Sequence, residues 1–247
     1  MAASVAVTPE AVIPGRVAHA PLWRRVLAEL IGTALLALAV VGSGIAAQHL
    51  AGGNSGEELG INAAVTAFAL FVIIVVLAPV SGAHLNPVIS LVDFVLGRRR
   101  WRDVVTYIPA QVVGCIAGTI LANVLFAMPA ISVSSNNRLS WPHLLSEVVA
   151  TAGLVLVVFA LARSGRERFV AAAVGAYIGA AYFFASSTSF ANPAITVGRM
   201  FTNSFSGIAP TAGLGFVIAQ LVGGTLGLVV VAALFPASRP RSSKVQE

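Results

Sequence analysis

Two Asn-Pro pairs carry the most chemistry in this chain: Asn86-Pro87-Val88 and Asn192-Pro193-Ala194. An Asn at a helix start accepts a backbone N–H through its side-chain oxygen. A Pro at the next position gives up only an N–H that would be unpaired anyway. Each pair therefore predicts a helix start whose Asn amide keeps its N–H donors free to point elsewhere. Both pairs follow Gly- or Ser-containing turn segments and open short apolar stretches. Two helix starts facing each other inside a membrane would present converging donors and partial positive charge. That arrangement suits passage of a neutral solute and disfavours a cation.

Other chemistries find little support. His19, His49, His84 and His143 are scattered, without metal-ligand spacing, and no cofactor is expected. Ser, His and Asp do not gather into a nucleophile set, which speaks against an enzyme. The single cysteine, Cys115, lies in an apolar run and can form no intrachain disulfide.

The elements that must position the Asn-Pro pairs follow from composition. Of 247 residues, 57% are hydrophobic and only 10% charged. A soluble domain of ordinary composition has about 25% charged residues. Apolar runs at 26–48, 61–80, 104–128, 143–163, 169–185 and 211–235 are each about long enough to cross a hydrocarbon core as a helix. The runs are continuous rather than alternating, which excludes a β-barrel. The expectation is an all-α membrane protein with six transmembrane helices and two re-entrant half-helices.

The net charge of +6 reads as topology, not as a nucleic-acid surface. Arg24 and Arg25 precede the first span, and Arg98, Arg99, Arg100 and Arg102 precede the third. Arg163, Arg166 and Arg168 separate the fourth and fifth, and Arg239, Arg241 and Lys244 follow the sixth. The intervening loops 51–60 and 129–142 hold one basic residue between them, Arg138. Basic loops stay on the cytoplasmic side, so both termini are expected there, in a multi-pass protein of the inner (plasma) membrane. Residues 1–21 and 237–247 read as cytoplasmic tails, the first disordered and without the pattern of a signal peptide.

The chain also repeats itself. Ala28-Glu29-Leu30-Ile31-Gly32-Thr33 matches Ser146-Glu147-Val148-Val149-Ala150-Thr151, and Ala110-Gln111-Val112-Val113-Gly114 matches Ala219-Gln220-Leu221-Val222-Gly223. The two glutamates, the two Asn-Pro pairs and the two glutamines lie 118, 106 and 109 residues apart, in the same order. The channel domain is thus read as 22–236, with repeat one at 22–128 and repeat two at 142–236. Three spans per repeat is an odd number, so the repeats must be inverted across the membrane.

These motifs, with Ser81-Gly82-Ala83-His84-Leu85-Asn86-Pro87 and Tyr107-Ile108-x-Ala110-Gln111, resemble the major intrinsic protein family of aquaporins and aquaglyceroporins over roughly residues 22–236. The resemblance implies one pore per subunit, two half-helices meeting at its centre, and a homotetramer in the lipid bilayer. It makes Glu29, Glu147, Gln111 and Gln220 braces for the re-entrant loops. A carboxylate in an apolar span is otherwise a candidate proton relay, as in an ion-coupled secondary transporter. His84 is placed on the pore wall, with a pH gate as the other reading. Most members carry Arg directly after the second Asn-Pro-Ala, and here that residue is Ile195. Family spacing without gaps puts the outer selectivity filter at Thr66, Ala180, Ser189 and Ile195, which would be wide and uncharged. Such a filter implies small neutral solutes: water, glycerol-like polyols, and arsenite or antimonite as neutral hydroxides. A strict water channel is the alternative. Arg199 lies four residues beyond Ile195, one helical turn further out. It is read either as a charge displaced into the vestibule or as an arginine that snorkels to the interface or bonds the C-terminal carbonyls of the short half-helix.

Overall fold

A backbone in hydrocarbon has no water to bond, so a chain this apolar satisfies its N–H and C=O groups within helices. The computed structural model describes residues 20–236; the tails expected at 1–21 and 237–247 lie almost wholly outside them. Among the described residues, five helices are long and apolar enough to cross a membrane: α1 Leu22–Leu50, α2 Ser55–Ser81, α4 Trp101–Leu125, α5 Trp141–Arg163 and α8 Pro210–Leu234. The sixth expected span is α6, Val170–Phe184. Its 15 residues rise only about 22 Å, and a 3-10 turn at Glu167–Phe169 extends it. Two short helices, α3 Pro87–Val95 and α7 Pro193–Gly198, begin at the Asn-Pro pairs.

The packing follows the repeat. α1 lies against α2 and α4, α5 lies against α6 and α8, and α2 meets α6 across the molecule. α3 and α7 each touch α4 and α8, and they meet one another. Glycine makes the two tightest crossings. A Cβ at Gly118 would run into the backbone of Ala34, and one at Gly227 would stand 2.7 Å from the Ala152 carbonyl oxygen. Gly114 and Gly223 meet Leu30 and Val148 in the same way. The α1–α4 and α5–α8 crossings are therefore the same device used twice.

The outer surface is apolar. Phe68, Val76, Leu214 and Val229 are each more than half exposed. A belt of this kind faces lipid or a neighbouring subunit, not water. All three tryptophans, Trp23, Trp101 and Trp141, are exposed in the first turns of α1, α4 and α5, where amphipathic rings sit at a membrane interface. The connection between the repeats is pinned to the segment after α7. Ser132 and Ser134 donate to the carbonyls of Phe201 and Met200 at 3.2 and 3.0 Å. Arg138 donates to Phe205 and Gly207.

Gly118→Ala should be costly because the new methyl meets backbone that cannot turn aside. The expected loss is about 1–3 kcal/mol, roughly 2–4 °C in melting midpoint per kcal/mol. Gly60→Ala, where nothing lies within 4 Å, is the control and should not lower the midpoint. Thermal unfolding in detergent, followed by size-exclusion fluorescence, distinguishes the two.

Candidate functional site

Between α2 and α3, and again between α6 and α7, the chain leaves helical geometry inside the membrane-spanning body. Ala83 and Leu85 have φ of 46° and 52°; Ser189 and Ala191, their counterparts, have 50° and 48°. Left-handed backbone at non-glycine residues is strained and persists only where the surroundings impose it. Here one carboxylate per repeat does so. Glu29 accepts from Ser81 Oγ at 2.7 Å, His84 N at 2.9 Å, Leu85 N at 2.7 Å and Gln111 Nε2 at 2.8 Å. Glu147 accepts from Ser187 Oγ at 2.6 Å, Phe190 N at 2.9 Å, Ala191 N at 2.9 Å and Gln220 Nε2 at 2.6 Å. Gln111 and Gln220 also reach Ser90 and Thr196 on the half-helices. All four residues are fully buried behind the loops and none lines the tunnel. With four donors each, neither carboxylate has an acceptor site to spare for a relayed proton.

The loops end at the two asparagines. Asn86 Oδ1 accepts from Val88 N, and Asn192 Oδ1 accepts from Ala194 N and Ile195 N, which caps α3 and α7. The amide nitrogens then cross. Asn86 Nδ2 donates to Ala191 O, and Asn192 Nδ2 donates to Leu85 O, each at 2.7 Å. One N–H of each amide is used in this exchange. The other remains for the lumen, and both asparagines line it. Pro87, Val88, Pro193 and Ala194 are buried in the first turns of the half-helices.

A single cavity of about 560 Å³ runs past both asparagines. At one mouth lie His84, Asp93, Arg98, Arg99, Glu167 and Arg168; at the other lie Thr66, Tyr182, Ser189, Phe190, Ile195 and Arg199. Leu36, Leu70, Ile74, Leu154 and Val174 form much of the wall between. His84 is on the cavity wall. Its Nδ1 stands 3.0 Å from Ser90 Oγ, its Nε2 stands 3.1 Å from Asp93 Oδ2, and its ring packs edge-on against Tyr107.

Of the four residues expected at an outer filter, three line the cavity and one does not. Thr66, Ser189 and Ile195 line the tunnel, but Ala180 does not: it is exposed on the outer face of α6. Val174, Ile178 and Tyr182 recur at four-residue steps along the lumen face, and Ala180 lies half a turn away from that row. Tyr182 is the α6 residue that meets Thr66, its hydroxyl 3.0 Å from Thr66 Oγ1. The tunnel at this level therefore includes an aromatic ring and a charge. Arg199 is buried and lines the cavity. Its Nε donates to Ser206 O, not to the end of α7, and its Cζ lies 3.5 Å from the centroid of the Phe190 ring. Arg199 Nη2 and Ser189 Oγ have no hydrogen-bond partner among the described residues. Arg138, on the connection between the repeats, lies near the same ring, and burial pulls its guanidinium below its ordinary pKa. The described residues contain no cluster of three or more metal-ligating side chains.

Paired half-helices that cap and cross-bond one another around one lumen are found together with a sequence match. The model of the major intrinsic protein family matches residues 16–191. The chain belongs to this family. It is 47% identical over 219 residues to aquaglyceroporin AqpS of Rhizobium meliloti (strain 1021), covering 89% of this chain and 93% of that one. It is 34% identical to a probable TIP-type aquaporin of Medicago truncatula, over 75% and 78% of the two chains. The X-ray structure of the aquaglyceroporin from Plasmodium falciparum superposes with a TM-score of 0.71 at 23% identity, over 87% of this chain and 98% of that one. The protein is a multi-pass membrane channel of the kind that carries water and small solutes.

Tyr182, Asp93 and Phe190 are among the pore residues that the sequence reading does not name. Tyr182 was hidden by the two-residue register error on α6. Asp93 carried a visible signal, an acid inside the apolar stretch PVISLVDFV. Phe190 carried none beyond its place two residues before Asn192.

Glu147→Ala should destabilise by about 1–3 kcal/mol for each N–H left unpaired. Glu147→Gln should fall between that and the unaltered protein, because one oxygen can keep only about half of the carboxylate's bonds. Melting midpoints of the three proteins in detergent give the order.

Proposed function

We propose that this chain is a passive, bidirectional pore for water and small neutral solutes, with glycerol-like polyols and neutral trihydroxy metalloids such as arsenite in its range. The observation that carries this reading is the crossed pair Asn86 and Asn192, each with one amide N–H facing a continuous, mostly apolar lumen. A solute entering such a tube exchanges its hydrogen bonds to water for those donors and for the carbonyls of the extended loops. The half-helix N-termini place partial positive charge at the centre, where it opposes cations and protons. Ile195, directly after Asn192-Pro193-Ala194, leaves the filter without the usual bulk at that point. Arg199 supplies the charge one turn further on and acts there as a vestibule residue. In this reading the Asp93 mouth faces the cytoplasm, with both termini, in the inner (plasma) membrane. Four copies associate through part of the exposed apolar belt, each built of repeats 22–128 and 142–236.

One observation favours a narrower range. Tyr182 and Arg199 both line the tunnel beside Thr66, which restores some of the bulk that Ala180 would have spared. A strict water channel is the corresponding second reading.

Stopped-flow light scattering on proteoliposomes separates the two. Water and glycerol should both cross faster than in protein-free vesicles; glycerol at the protein-free rate would establish the strict water channel. Ile195→Arg should slow glycerol more than water, since it adds bulk and a fixed donor to the constriction. Arg199→Ala should admit cations while neutral flux continues. Unchanged ion conductance in a well-incorporated variant would leave Arg199 as a structural cap.

A further inference from the structure

The repeat relation extends to both mouths of the tunnel. His84 and Phe190 each stand two residues before their Asn, and Asp93 and Arg199 each stand seven residues after it. In both halves the ring is held by the charged side chain: His84 Nε2 lies 3.1 Å from Asp93 Oδ2, and Phe190 lies 3.5 Å from the Arg199 guanidinium carbon. The charges are opposite. Arg199 and two helix N-termini repel cations, but the same field attracts anions.

The Asp93 mouth has the means to answer that attraction. Asp93 is 5% exposed and lines the tunnel. Its Oδ1 accepts from Arg98 Nε at 3.1 Å, and its Oδ2 accepts from Arg99 Nε at 3.0 Å. Arg99 is laid over Gly82, where a Cβ would strike its guanidinium. Arg98 also reaches Glu167 at 2.9 Å. Three arginines, Arg98, Arg99 and Arg168, thus share this mouth with two carboxylates, one of them the exposed Glu167. Behind His84, the Glu29 carboxylate on α1 is filled by the loop, Tyr107 on α4 covers the ring, and Arg25 and Asp103 are paired at 2.8 Å.

We propose that Asp93 is a specificity-determining residue that excludes small monovalent anions. It pairs with Arg98 and Arg99 and holds them against the wall, and with Glu167 it offsets most of the positive charge of this mouth, so the tunnel presents no strongly positive path from one mouth to the other. This rests on the channel reading above.

The test uses the full chain in liposomes and reads the ratio of nitrate permeability to water permeability in the same vesicles. Wild type should show protein-dependent water flux and nitrate at the protein-free level. Asp93→Asn should raise the ratio about tenfold, the low end of what a focused potential does to local ion concentration. Arg98→Gln and Arg99→Gln added to it should bring the ratio back, because the uncompensated charge is then gone. An Asp93→Asn channel that passes water and stays closed to nitrate overturns the proposal. So does a triple variant that leaks as much as the single one, since that marks structural damage and not charge. If Asp93→Asn does not incorporate, Glu167→Lys decides: it adds positive charge at the same mouth from an exposed position, and a ratio equal to wild type overturns the proposal. Wild type without protein-dependent water flux defeats the channel reading itself, a separate result.

Discussion

Unpaired backbone inside a bilayer is the constraint on which this molecule depends. A helix hides its own polar groups, but a pore needs some of them exposed to the solute. The two loops therefore abandon helical geometry where water is scarce, and their N–H groups must find acceptors elsewhere. Glu29 and Glu147 provide them, two N–H groups each, along with a Ser hydroxyl and a Gln amide. Turning the N–H groups outward toward the carboxylates frees the opposite edge of the loop. The carbonyls of Ala83, His84, Ser189 and Phe190 have no protein donor among the described residues. One buried charge per repeat thus creates the acceptor track and fixes the strained φ values that it requires.

This dependence explains what could be read from the sequence. The glutamates, glutamines and asparagines were legible because each is a polar residue in apolar surroundings and each occurs twice in the same order. Gly114 and Gly223 stand at matched places in the same repeated motifs. The filter was harder. Ala180 and Tyr182 are separated by two residues in an almost uniformly apolar helix, and nothing in VAAAVGAYIGAAYFF marks which side faces the lumen. α6 is also the shortest of the six, so spacing counted from its neighbours slips there. Arg199 was visible but ambiguous, since a carbonyl cap and a vestibule charge predict the same residue. In the structure its Nε donates to the Ser206 carbonyl rather than to the end of α7, and the side chain is part of the tunnel lining.

The two halves agree closely in their centre and differ at their ends. From Ser81 to Ser90 and from Ser187 to Thr196 the hydrogen bonds correspond nearly one for one. Beyond that the repeats diverge: an imidazole and an acid at one mouth, a phenyl ring and a guanidinium at the other. The centre is bound by the geometry of loop bracing, which tolerates little variation. The mouths are freed from it, and there the two copies took different charges.

The crossed asparagine bonds also bear on how the molecule is made. Asn86 Nδ2 donates to a carbonyl 105 residues further along the chain. At roughly 5–20 residues per second, that carbonyl is synthesised some 5–20 seconds after the asparagine. During that interval Glu29 is already available to the first loop, whereas its partner across the axis does not yet exist. Gln111, the last member of that brace, is 25 residues downstream of Asn86 and is therefore made long before the second loop. Every partner in the local network is therefore synthesised before the second half exists to close upon the first.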